Sequence, residues 1–231
     1  MATIRSRPRL DDIGEKPAAR LRRPSILLLV LFSAALAACA TGPDPQADQS
    51  FLTDQPCAAP CWQGLELGSS TKGATLSLLP TLPFVDAGSI VDKATTWKSD
   101  AAAREVSFGC VHPRSGNCGN AIFSGDRLRW LELSVGYALT LRMAVTKLGA
   151  PTHVDYSTGN NQGCSVTGAW PQRKIGVVLD GLADRVCQSL RMGQGMPGEV
   201  KATSVYYTDA TTLESGPAAC CGRLAWPGFS D

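Results

Sequence analysis

Nine cysteines stand in this chain of 231 residues, and their placement limits what it can fold into more than any other feature does. Cys39 closes an apolar run that begins at Ile26, behind Arg20, Arg22 and Arg23, and the run ends in the small residues Ala37 and Ala38. A basic stretch, an apolar stretch and small residues at its end mark an export leader. At about 13 residues the run is too short to span a bilayer as a mature helix. The other eight cysteines are Cys57, Cys61, Cys110, Cys118, Cys164, Cys187, Cys220 and Cys221. An even number in an exported chain reads as a disulfide framework. Eight cysteines allow about a hundred connectivities. Locality suggests Cys57–Cys61, Cys110–Cys118 and Cys164–Cys187. Cys220 and Cys221 are left to pair with each other or to staple the tail to earlier segments. Zinc competes for such residues, but the C-x2-C knuckle pair is missing and export disfavours free thiolates. No metal and no other cofactor is expected.

The leader also carries the charge asymmetry. It holds seven of the 22 basic residues and three of the 20 acidic ones, so 15 basic and 17 acidic residues remain from Cys39 onward. A net charge of about −2 gives no polyanion partner a foothold, and nucleic acid is excluded as an expected ligand. Removing 38 residues leaves 193, enough chain to bury a real core. Ala40 to Pro56 is polar and aperiodic and reads as a tether.

From Cys57 the chain becomes structured. Pro56, Cys57, Pro60 and Cys61 make a rigid corner in front of Trp62, which is placed to pack inward. Thr71 and its neighbours Ser69 and Ser70 offer caps for a short helix ending at Pro80. A second turn or helix is expected near Phe84 to Ile90. Strands are expected over Val91 to Lys98, Arg104 to Val111, Asn120 to Ser124 and Arg127 to Val135, with Gly125-Asp126 as a hairpin turn. Thr140 caps a helix whose Leu141, Ala144, Val145 and Leu148 share one face, with Gly149 and Pro151 as stop signals. Strands then follow from Val154, over Cys164 to Trp170, Lys174 to Asp180 and Gly198 to Thr208, and the tail, Gly216 to Asp231, reads as a cross-linked cover. The order helix, strands, helix, strands predicts an α+β fold of two helix-plus-antiparallel-sheet repeats, disulfide-stapled. The first repeat would span 57–136 and the second 137–231.

Chemistry is sparse. There is no G-x-S-x-G elbow, no phosphate-binding loop and no metal-spaced histidine pair. His112 and His153 are the only histidines and read as loop or surface residues. Glu132 and Asp180 could pair as acid and base in a cleft, as scattered carboxylates can in any chain of this size. The five tryptophans, Trp62, Trp97, Trp130, Trp170 and Trp226, are first of all core anchors. Trp130 and Trp170 are the candidates for an exposed platform on which a protein or glycan partner lands. Trp130 has the opposite parity to Leu131 and Leu133, and Trp170 ends a strand before Pro171.

Leu36-Ala37-Ala38-Cys39 resembles the bacterial lipoprotein processing site. That likeness implies a leader over 1–38, a lipid on the Cys39 thiol, a third acyl chain on its amine, and a lipidated tether over 39–56. More than one chain is needed for stable anchoring. Ala40 is not the aspartate that retains such proteins at the inner membrane, so the likeness permits a cell-membrane or an outer-membrane address on the extracytoplasmic side. The capped helix ending Leu148-Gly149-x-Pro151 and leading into a strand resembles the outer-membrane-assembly lipoproteins of the SmpA/OmlA type and the β-lactamase-inhibitory-protein-like repeat fold. Cys57-x3-Cys61-Trp62-x-Gly64-Leu65-x2-Gly68 resembles the opening of a group of uncharacterised bacterial lipoproteins. These likenesses imply a non-catalytic protein-binding module in the envelope, with an envelope protein as partner. The competing expectations are a hydrolase acting on wall or glycan and a passive assembly scaffold.

Overall fold

Alternating apolar residues dominate the middle of the chain, and they build one sheet. The structure, a computed structural model, describes residues 48–111, 117–135, 139–158, 163–215 and 221–230, all within one unit. The leader, Cys39, His112 and Cys220 lie outside the described residues, as does the side chain of Cys221. Among the described residues there are five short α-helices: α1 (Ser50–Thr53), α2 (Lys72–Leu78), α3 (Leu141–Leu148), α4 (Asp184–Arg191) and α5 (Ala210–Ser215). The strands are β1 (Val85–Ala94), β2 (Arg104–Cys110), β3 (Gly119–Ser124), β4 (Arg127–Ser134), β5 (His153–Thr158), β6 (Cys164–Trp170), β7 (Ile175–Leu182), β8 (Ser204–Thr208) and β9 (Cys221–Ala225). They lie in the order β1-β2-β3-β4-β8-β7-β6-β5-β9, and each neighbouring pair is antiparallel.

This corrects the expected α+β fold of two helix-plus-sheet repeats. A single nine-stranded antiparallel sheet carries the molecule, and the helices are few and small. Its two halves do not stand apart, because β4 pairs with β8 through Leu131↔Tyr207 and Leu133↔Val205. An open edge at either strand would leave a row of backbone groups unpaired. The tail is not a mere cover: residues 221–225 extend the sheet by pairing with β5. The segment expected as a turn or helix near Phe84 to Ile90 lies largely in β1, which carries a bulge between Asp86 and Val91. Gly125 and Asp126 make the hairpin turn, both at positive φ, as two-residue hairpins require.

One face of the sheet is sealed. Val106 and Phe108 of β2, Ala121 and Phe123 of β3, Leu131 and Leu133 of β4, and Val205 and Tyr207 of β8 are all buried on it. Helices α2, α3 and α4 pack into the core that these residues form, the first two by means legible in the sequence. Thr71 accepts from the Ala74 N–H at the start of α2, and Thr140 accepts from the Met143 N–H at the start of α3. Leu141, Ala144 and Leu148 of α3 are buried. The Cys164–Cys187 disulfide fastens α4 to β6. Cys57–Cys61 and Cys110–Cys118 are also formed. Trp62, with 0% of its surface exposed, stacks on Phe108 at 5.7 Å and meets Phe84 edge-on at 6.1 Å. Its indole N–H donates to Asp48, and Phe51 of α1 is only 5% exposed. The end of the expected tether, residues 48–56, is therefore built into the domain.

Candidate functional site

The opposite face of the sheet follows the other parity. Paired residues on antiparallel strands share a face, so the register defines rows across it. One row runs Glu132, Tyr206, Gly176, Ala169 and His153 across β4, β8, β7, β6 and β5. The next runs Ser204, Val178, Thr167, Asp155 and Arg223. Ser165 and Ser157 pair in the row beyond. Large side chains stand at the β4–β8 end, and the Tyr206 ring fills the space over Gly176. A cleft of about 680 Å³ opens there.

Aromatic rings wall one end. Trp130 stacks on Tyr206 with centroids 4.2 Å apart and an interplanar angle of 13°. Trp97 meets Trp130 at 5.5 Å and 54°. Trp97 stands on the β1–β2 connection, held by reciprocal backbone bonds with Asp100 of 3.0 and 2.9 Å. The Asp100 carboxylate accepts from the Ser124 hydroxyl and the Ala102 N–H, and these bonds, Ser124 first, hold its carboxyl below the usual range. Tyr206 lies flat across Gly176, where any Cβ would collide with its ring.

Polar groups line the rest. The Asp155 carboxylate accepts from Arg223 Nε at 2.8 Å and Nη2 at 3.0 Å, a bidentate pair. Glu132 Oε1 accepts from the Ser204 hydroxyl at 2.8 Å. Burial, then the Asp155 and Glu132 carboxylates, push the Tyr206 phenol far up, so it stays protonated at neutral pH. Thr212 and Leu213 of α5 close one side, and Lys98 Nζ donates to the Thr212 hydroxyl at 2.8 Å and lies 3.8 Å from Asp209. His153 is not a surface histidine: it is 8% exposed, its Nε2 has no hydrogen-bond partner among the described residues, and it sits 3.5 Å from Asp155 Oδ2.

Of the two tryptophans singled out as a platform, the structure puts only Trp130 on this face. Trp170 is 3% exposed, faces the sealed side, and donates its indole N–H to the Gly149 carbonyl at 2.8 Å. Its burial removes it as a landing surface. The reason lies in parity, since Trp170 alternates in step with Val166 and Cys164, both buried. Asp180 hydrogen-bonds Thr203 at 3.0 Å and does not line the cleft; the carboxylate that shares the cleft with Glu132 is Asp155. The alternation of His153, Asp155 and Ser157 against Val154 carries that signal in the sequence. Among the described residues no group of three or more His, Cys, Asp or Glu is arranged to hold a metal ion. Comparison with protein-family models, with curated proteins and with solved structures finds no match for this chain.

Proposed function

We propose that this chain is a lipid-anchored protein of the extracytoplasmic cell envelope that works by binding and not by catalysis. The address rests on the Arg-flanked apolar run ending in Leu36-Ala37-Ala38-Cys39, and the disulfides suit an oxidising compartment. Cys39 carries the lipid in this reading, and Cys39→Ser shifts the chain from the membrane fraction to the soluble fraction. Retention of that variant in washed membranes would contradict the anchor.

The observation that supports binding is the cleft, where aromatic rings and hydroxyl groups converge around acids already engaged by neighbours. Both Asp155 oxygens accept from Arg223, and the Tyr206 phenol is held neutral. A general acid–base pair needs groups free to exchange protons near neutral pH. The burial of Trp170 takes away one of the two rings on which a broad protein platform would rely, so the contact surface is concave and centred on Trp130. The envelope partner is engaged there.

The competing reading is hydrolysis, which the shared cleft of Glu132 and Asp155 favours. Immobilised full chain in mild detergent, mixed with isolated envelope material, separates the two. Binding predicts retention of an envelope component that Trp130→Ala loses, with no soluble fragments released. Release of sugar or peptide fragments would establish catalysis, and equal retention by Trp130→Ala would remove the cleft from the account.

A further inference from the structure

The cleft contains groups that the protein does not satisfy itself. The hydroxyls of Ser157, Ser165 and Thr167 and the phenol of Tyr206 line it and have no protein hydrogen-bond partner among the described residues. Each hydroxyl can donate one hydrogen bond and accept others. The second oxygen of Glu132 is likewise unpartnered, because only Oε1 receives the Ser204 hydroxyl. These groups ask for a ligand that donates and accepts repeatedly along one side. The Trp97 and Trp130 rings ask for an apolar face on the other.

Charge narrows the choice. Asp155 is balanced by Arg223, and Lys98 by Asp209. Glu132 has no ion-pair partner among the described residues, so the cleft holds one unbalanced negative charge and disfavours anions. A cationic ligand meets the Lys98 ammonium, which lines the cleft and already lies 5.9 Å from the Trp97 ring centroid. An extended peptide would seek unpaired backbone groups, which occur at a sheet edge. The cleft sits over β4, β8, β7, β6 and β5, where the backbone groups pair within the sheet.

From these features we infer that the cleft binds a short neutral oligosaccharide, with pyranose C–H faces against Trp97 and Trp130 and ring hydroxyls bonded to Ser157, Ser165, Thr167, Tyr206 and Glu132. The inference rests on the reading that the chain binds without catalysis, and it names the ligand. Tyr206 donates its phenolic proton in this arrangement. Glu132 accepts, and its charge rejects uronate and sulfated sugars.

The test is titration of the full chain in detergent, followed by tryptophan fluorescence and calorimetry. The probes are cellotriose and tri-N-acetylchitotriose as neutral sugars, trigalacturonate as an anionic one, and trialanine as a peptide. At least one neutral trisaccharide saturates the wild type. Trp130→Ala weakens it at least about fivefold, while Trp130→Phe recovers part of the loss. Trigalacturonate fails with the wild type and gains several-fold in Glu132→Gln, whose fold is checked by its unfolding midpoint. Saturation by neither neutral sugar overturns the inference, as does trigalacturonate binding equal to that of the neutral sugars. If trialanine alone binds and Trp130→Ala abolishes it, the ligand class fails while the binding reading stands. If envelope retention is also indifferent to Trp130, both fail.

Discussion

On one face of the sheet, Phe108, Leu131, Tyr207 and Val177 are sealed beneath short helices and a disulfide. On the other, Trp130, Glu132, Tyr206 and Thr167 of the same or neighbouring strands stay half-exposed. The same alternation supplies both faces, yet only one is finished by the protein's own contacts. On the sealed face the Trp62 indole donates to Asp48 and the Trp170 indole to the Gly149 carbonyl. The open face leaves hydroxyls and a carboxylate oxygen without a partner among the described residues. In the proposed reading, stability belongs to the first and recognition to the second.

That division is open to attack by substitution. The largest effect is expected at Trp62. Trp62→Ala opens a cavity between Phe84 and Phe108 and costs about 3–5 kcal/mol in denaturant unfolding. Loss of the Cys164–Cys187 link through Cys187→Ala costs about 2–4 kcal/mol, again on the sealed side. Trp130→Ala on the open side costs about 1 kcal/mol of stability and abolishes envelope retention. A stability loss there as large as at Trp62 would erase the distinction between the faces.

Smaller effects fall on the two pH limbs. On the sealed side, the Lys72 hydrogen bond, opposed by burial and helped by Arg104, holds the Asp92 carboxyl below its ordinary value. That stability is present above pH 3.8 and is lost as pH falls through the lowered folded value. Asp92→Asn flattens the acid limb by under about 1 kcal/mol, since solvent screens the pair. On the open side, Tyr206 has its folded value raised. Its contribution is complete below the ordinary phenol value of 10.0 and is lost as pH rises through the folded value. Phenolate absorbance in the native protein therefore shows Tyr206 resisting ionisation past pH 10.0, and Tyr206→Phe removes that contribution.

Much of the strand pattern is legible in the residues. The alternation of Leu131 and Leu133 against Trp130 and Glu132 defines β4 and its two faces, and Thr140 with Gly149 brackets α3. Short-range signals of this kind rest on backbone geometry and capping, which neighbours in sequence determine. The joining of β4 to β8 is different. It pairs residues about seventy positions apart, and no local signal distinguishes two packed units from one continuous sheet. The tail strand is hidden because five residues after a cysteine pair carry little periodicity. Of the site, Trp130 is readable from parity alone. Asp155, Thr167 and Ser165 become neighbours of Tyr206 only through the long-range register, and the placement of the Tyr206 ring depends on Gly176, whose missing Cβ has meaning only beneath a ring from another strand.

The most direct measurement compares wild type, Trp130→Ala and Trp170→Ala for retention of envelope material and for unfolding midpoint in the same preparation. The account predicts that Trp130→Ala loses retention with a small shift in midpoint, while Trp170→Ala shows a large shift and retains the material under conditions where it is folded. Loss of retention in folded Trp170→Ala with Trp130→Ala unaffected would contradict it, because the recognition surface would then lie on the sealed face.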